Sequence, residues 1–459
     1  MAGLRRDIII VFGSTFVSSI LAMIAVPILI RTVGADRFSH IALVLVIVNI
    51  FGTFDGLRQI VVYDFADNGK HSKLIEGCVL LSLCISTFVV CAGLCIWLVT
   101  GGTFFSALEI FFLLFTGFLF YPTSILNGML AASNFIGYVS LLRALCWIGI
   151  YGGFLFLGVQ GAAFEWYSGA VFIFYLMLFL CLLFRVLYNG HGKYLIPSSD
   201  QLKKIKPKLV DTLLFEFAVL ILSNFSRILL SYKQMGASLG VYLAQSEVIL
   251  KGIIVFRVIN SIVLPRLTAA RHCKSKDWIE RCWYFIFLLG FYAVGFIMAV
   301  IEYFHVEIIT FIFGSEFANF EYIGGILLLS YPLMFIGYAS NSLLASGGVF
   351  DISRKVYLKW SMLTLFVGCF LIFKFGLVGA ATAYLFGRFC DLYLFVETTK
   401  SQSFNFSVKS FYIHFLFVLI MMAAAFFQYP ILIVVSIPWA YFAVSYELKR
   451  LEIMFSWRG

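Results

Sequence analysis

Glu247, Lys251 and Arg257 stand in the stretch AQSEVILKGIIVFR at 244–257, which is otherwise as apolar as lipid. A charge at the centre of a membrane-spanning helix costs about 2.5–3.5 kcal/mol on insertion scales, so such residues persist where they face protein or a wet cavity. Other apolar runs carry Arg58, Arg143, Arg227 and Arg388, with the acids Asp55, Glu109, Glu216 and Asp391. The chemistry open to the cations is capture of an anion. Arginine offers paired donors to a phosphate, and lysine a compact point charge.

Spacing sorts these residues. Glu247 precedes Lys251 by four residues, the order that favours a pair along one helix. Arg257 lies nearer the inner end of its run and can snorkel. Glu216, Ser223 and Arg227 share a face, because the interval from 216 to 227 is about three helical turns, and Asn224 is adjacent. Arg388 and Asp391, three apart, can neutralise one another. Arg143 has no acid in its own run, which asks for an anionic ligand or a carboxylate on a neighbouring helix. Asp55 and Arg58, in FDGLRQ, fall toward an inner end, where interfacial pairing is the plain expectation. The candidate anion-binding residues are therefore Arg143, Arg227, Lys251, Arg257 and Arg388. The candidate ion-coupling acids are Asp55, Glu216 and Glu247.

Other chemistries find little support. No nucleophile–base constellation and no HExxH is present, so neither an enzyme nor a metal or cofactor site is expected. The ten cysteines form no CxxC and read as small buried hydrophobes. Basic residues lie in short loops rather than in a basic domain, which argues against nucleic acid as a partner.

The elements that hold these residues must be membrane helices. Of 459 residues, 62% are hydrophobic and 12% charged, against about 25% charged in soluble domains. Runs of ~20 apolar residues predict spans near 8–31, 38–62, 75–99, 104–127, 135–158 and 161–187, then 209–231, 238–263, 281–303, 323–345, 356–374 and 377–397. Two more are expected near 410–428 and 430–447, giving about 14, or 12 without that pair. The first run is too long for a signal-peptide core and reads as a retained span. With both termini in the cytoplasm, 23 of the 33 Lys and Arg residues fall in inner loops and helix ends, and 4 in outer loops. The outer loop near 304–322 is acidic, with Glu307, Glu316 and Glu321. No stretch reads as a strand.

Duplication is visible as well. TVGADRF at 32–38 matches QMGASLG at 234–240, LNGMLAAS at 126–133 matches NSLLASGG at 341–348, and GVQGAA at 158–163 matches GLVGAA at 376–381. The order is conserved between halves, so spans 1–6 and 7–12 read as two repeats in one orientation. The expected division is a first six-helix lobe at 1–190, a basic cytoplasmic linker at 191–208, a second lobe at 209–400 and an extra helix pair at 401–459. Paired bundles of this kind can rock about a site between them.

PILIRTVGADRFSHIAL, LNGMLAAS, GASLGVYLAQSEVIL, NSLLASGG and GLVGAATAYL resemble segments of the multidrug/oligosaccharidyl-lipid/polysaccharide (MOP) superfamily, specifically its Wzx-type O-antigen flippases. The resemblance implies an all-α polytopic membrane protein with two lobes in a V around a central cavity. It implies movement of an undecaprenyl-diphosphate-linked oligosaccharide across the bacterial inner membrane by alternating access. It leaves room for a polysaccharide polymerase and a chain-length regulator as partners. Related lipid II flippases bind pyrophosphate with cavity arginines, some on the first helix. Here the first helix has no charge between Asp7 and Arg31, so that feature does not carry over. The last two spans look like the extra pair that forms a lipid-tail groove in those flippases. The rival expectations are a drug/cation antiporter of the same superfamily and a membrane glycan polymerase.

Overall fold

A computed structural model describes residues 2–53, 61, 74–99, 105–190, 202–233, 236–251, 276–314, 317, 320–346, 349, 351–401 and 408–428. The elements are α1 (Ala2–Val33), α2 (Ala35–Thr53), α3 (Leu74–Val99) and α4 (Ala107–Leu130). A π-helical turn, Ala131–Phe135, leads into α5 (Ile136–Val159), followed by α6 (Glu165–Tyr188), α7 (Leu202–Lys233) and α8 (Ala237–Lys251). Then come α9 (Lys276–Tyr303), α10 (His305–Phe313), α11 (Glu321–Leu328), α12 (Tyr331–Ser346), α13 (Asp351–Ser401) and α14 (Val408–Phe426).

Among the described residues every extended element is a helix, and 8 of them are long and apolar enough to cross a membrane. A helix is the form that satisfies its own backbone in lipid, so long apolar runs have little alternative. Large apolar side chains such as Phe88, Leu98, Phe184, Phe366 and Phe427 point outward, as a lipid-facing surface requires. The protein is an all-α, multi-pass membrane protein. The thirteen predicted spans up to 428 each overlap a described helix, spans 38–62 and 238–263 only in part because 54–60 and 252–263 lie outside the described residues, as does the segment 430–447. Spans 11 and 12 form the single run α13, which turns at Gly376 with φ of 58°.

Two expectations need correction. The stretch 304–322 is not simply a loop. It contains α10, which meets α9 at a bend of 67°. In HVEIITFIF the buried residues are His305, Ile309 and Phe313, one per turn along one face, and this periodicity outweighs Glu307 within it and the acids beyond it. The cysteines are also not uniformly buried. Cys78, Cys146 and Cys390 are, whereas Cys84, Cys91, Cys95 and Cys181 are exposed on the apolar surface. A thiol is apolar enough for either environment, so its type did not determine its side of the helix.

The chain divides into two compact units, 1–251 and 252–459. In the first, α4 packs on α3 and α6, and α1 on α5. Here α8 lies against α2 and α1, while α7 touches α2 and α3. The helices that open the second sequence repeat thus pack within this unit. In the second unit α12 packs on α13, and α9 on α12 and α14.

The turns at Gly34 and Gly236 are built alike. Both glycines have positive φ, 82° and 112°, and each carbonyl accepts from the amide four residues on, Phe38 and Gly240. The turns also meet. A methyl at Gly240 would run into the carbonyl of Ala35. The matched motifs GVQGAA and GLVGAA, by contrast, turn at different glycines, Gly161 and Gly376.

Candidate functional site

The first unit buries an ion pair between α7 and α8. Arg227 Nη1 lies 2.6 Å from Glu247 Oε1, with side chains only 5% and 3% exposed. Asn49 on α2 donates to the same oxygen at 3.5 Å. Beside it, the Ser226 and Tyr242 hydroxyls are 3.1 Å apart. Three helices therefore converge on one carboxylate. Glu216, on the face of α7 that carries Arg227, is also buried and lies within electrostatic range of Tyr121 on α4. The polar stripe predicted along α7 is thus internal to this unit.

The expected along-helix pairing of Glu247 with Lys251 involves a side chain outside the described residues; the contact described for Glu247 is with Arg227. A guanidinium suits a buried carboxylate because it is planar and weakly hydrated. The side chain of Lys251, and all of Arg257, Asp55 and Arg58, lie outside the described residues. Arg143 on α5 is half-buried, with Cys146 of the next turn inside its field.

The second unit holds a relay around Asp391. Ser353 donates to Asn341 at 2.7 Å, Asn341 to the Tyr357 hydroxyl at 3.2 Å, and Tyr357 to Asp391 Oδ1 at 2.7 Å. Arg388 completes it from the same helix as Asp391, with Nη1 3.9 Å from Oδ2 and its guanidinium 4.7 Å above the Tyr384 ring. Gly337 on α12 leaves room for the carboxylate, where any Cβ would collide with it. The expected Arg388–Asp391 neutralisation is present, joined by hydroxyl and amide groups that composition did not single out. Asn341 and Ser353 bracket the NSLLASGG segment, so a polar residue in a repeated apolar motif was the available signal.

A third cluster joins α2 to α4. His40 Nε2 is 2.6 Å from Glu109 Oε1, and Glu109 Oε2 accepts from the Ser106 amide at 2.8 Å. Ser106 Oγ returns the bond to the Glu109 amide at 3.3 Å, a complete capping box. The sequence Ser-x-x-Glu was the readable sign of this helix start. His40 also packs on Phe164 at 4.4 Å, and Arg37 lies 5.3 Å over the same ring.

One acid escaped the sequence reading. Glu302 stands in the last turn of α9, one residue before the predicted span limit, where a carboxylate ordinarily reaches solvent. Here it is completely buried. Among the described residues no group of three or more His, Cys, Asp and Glu side chains could hold a metal.

No family model matches this sequence. No curated protein matches it either. Solved structures do. The chain is similar over 96% of its length, and 99% of the other, to the lipid II flippase MurJ in an inward closed conformation, at 15% identity and a TM-score of 0.70. This chain has the fold of membrane transporters. An inward-facing MATE-family multidrug resistance transporter of the MOP superfamily aligns at 13% identity and a TM-score of 0.61, over 84% of this chain and 94% of that one. A MOP superfamily transporter from Pyrococcus furiosus, described by a binding pocket of reversed polarity, aligns at 14% and 0.56 over 88% and 95%. These structural relatives are transporters and flippases of the MOP superfamily.

Proposed function

We infer that this chain is a flippase that moves an undecaprenyl-diphosphate-linked oligosaccharide, an O-antigen unit or a similar repeat, across a bacterial inner membrane. The observation that carries this reading is likeness to a lipid II flippase over nearly the full length of both chains, in a protein that keeps arginines inside apolar helices. A diphosphate needs cations in a partly dry site, and arginine's paired donors suit it. Arg227, Lys251, Arg143, Arg257 and Arg388 are the residues assigned to it.

The pairing of Arg227 with Glu247 fits such a role as a resting state. A diphosphate would compete with Glu247 for the guanidinium. A proton taken up by Glu247 would favour the exchange, since a neutral acid holds Arg227 less tightly. Glu216 and Asp55 are further acids that could couple substrate movement to an ion gradient. In this reading both termini are cytoplasmic, the glycan stays in water and the polyprenyl tail stays in lipid. A polymerase and a chain-length regulator on the far side are the expected partners.

Deletion of the gene followed by lipid extraction tests the class. Accumulation of a diphosphate-linked oligosaccharide on the cytoplasmic leaflet is expected. Surface glycan unchanged by Arg227→Ala and Lys251→Ala at normal protein levels removes both from the mechanism. The likeness to MATE transporters favours a second reading, a drug/cation antiporter. Efflux of a cationic dye, with no effect on lipid-linked glycan, would select it.

A further inference from the structure

Three helices, α10, α11 and α14, close around the end of α9 in the second unit. α9 stops at Tyr303, and α10 leaves at a bend of 67°. In the last turn before this elbow the Glu302 side chain turns inward and is 0% exposed. Its Oε1 lies against Gly325 of α11, where an added Cβ would sit 2.6 Å from that oxygen and 2.6 Å from the Phe426 ring of α14. Phe426 in turn stacks on the His305 ring of α10, with the planes 4° apart. His305 is not a partner for the carboxyl group, because its Nδ1 donates to the backbone carbonyl of Glu302.

Neither carboxyl oxygen of Glu302 has a hydrogen-bond partner among the described residues. Among the described side chains, the titratable groups on the elements packed against α9 are His305 and Glu307 on α10, Glu321 and Tyr322 on α11, Tyr331 and Tyr338 on α12, and Tyr412 and His414 on α14. None of them bonds to either oxygen. The charged residues of α9 itself, Lys276, Asp277, Glu280 and Arg281, stand at its opposite end. An ionised carboxylate in such a place has no compensation, and a group in that position takes up a proton rather than remain charged. A bound metal cation would require several oxygen ligands, and a glycine and an aromatic ring supply none from side chains.

We propose that Glu302 is a proton-binding site, closed in this conformation by Gly325 and Phe426 and opened by movement at the α9–α10 elbow. The closed form is the neutral acid. Opening admits water, to which the acid gives its proton and leaves a hydrated carboxylate. The site is distinct from Glu216, Glu247 and Asp391, each of which lies beside hydroxyl or guanidinium groups. It does not depend on what the protein transports.

Infrared spectra of the full chain in lipid nanodiscs test this without any transport assay. In sodium-free buffer at neutral pH the wild type should show the carbonyl stretch of a protonated carboxyl that Glu302→Gln lacks. That band should shift in heavy water and be lost at alkaline pH. A difference spectrum carrying carboxylate stretches instead shows an ionised Glu302 and overturns the proposal. So does a band that neither exchanges nor titrates, which marks a permanently sealed acid. Added sodium chloride should leave the band intact; its conversion to carboxylate stretches would assign a cation site instead. Should Glu302→Gln fail to fold, Glu302→Asp draws the carboxyl back from Gly325 and must shift the band. An unshifted band places the proton elsewhere.

Discussion

Arg227 and Glu247 are separated by 2.6 Å and almost wholly buried, so removing one partner differs in kind from removing both. Arg227→Ala strands a carboxylate inside the bundle, at a cost of about 3–5 kcal/mol. Replacing the pair together, as Arg227→Met with Glu247→Leu, should recover most of that loss. Thermal unfolding in detergent of the wild type, Arg227→Met, Glu247→Leu and the double variant gives the coupling; additive single effects would mean that the pair does not act as a unit. In the second unit Tyr357→Phe deletes the donor to Asp391 and leaves Arg388 as its main partner. A hydrogen bond to a charged group contributes about 1.5–3 kcal/mol, and a loss of that size should appear in the same melts. The sequence marked Arg227, Glu247, Arg388 and Asp391 because charge is conspicuous in apolar surroundings. It could not show which charge meets which, since that depends on helices far apart in the chain. Asn49 and Tyr357 carry no charge and stayed invisible for that reason. Glu302 was conspicuous by type but placed where solvent was expected.

Helix α8 lies against α2 through a contact that only glycine permits. Gly240→Ala directs a methyl into the Ala35 carbonyl, which belongs to backbone and cannot rotate aside. The two helices must part, with an expected loss of about 1–3 kcal/mol. Gly152→Ala, in the middle of α5, meets nothing within 4 Å. It should stabilise by up to about 1 kcal/mol, because alanine loses less backbone freedom in a helix. Opposite shifts in melting temperature for the two variants would confirm the contact; equal shifts would refute it. In the second unit, α14 docks through Phe411, whose ring lies 4.2 Å from Phe395 and 5.3 Å from Phe287. The sequence resolved these elements well, because a span announces itself by length and apolar composition alone. Its repeat at Gly34 and Gly236 was legible from the same cause, as both turns need a residue at positive φ. α10 was not, since three acids in 304–322 masked a short apolar periodicity of the kind that normally sits in longer helices.

The topology of the whole chain depends on how often the α9–α10 pair crosses the bilayer. With the N-terminus in the cytoplasm, as proposed, a single crossing by the pair, bent by 67°, would place the stretch after Phe313 outside and return the chain to the cytoplasm by way of α11 and α12. Arg354, Lys355, Lys359, Lys400 and Lys409 then all lie on the inner side. If the pair only dipped into the membrane, or crossed twice, these five cations would fall outside, against the bias that orients membrane helices. The turn at Gly376 has the opposite requirement, because it joins the two halves of α13 and must lie across the membrane from both of its ends. Reporter fusions separate the cases. Alkaline phosphatase should be active when fused after Gly314 and after Gly376, and a green fluorescent reporter should mature after Val349 and after Ser401. Inversion of all four signals together with loss of maturation of a green reporter fused at Lys276, before α9, would mean that the chain up to α9 has been oriented the wrong way. Inversion of all four signals while a green reporter fused at Lys276, before α9, still matures would mean that the bent pair does not cross as one span, and the inner placement of the second unit's basic residues would be lost with it.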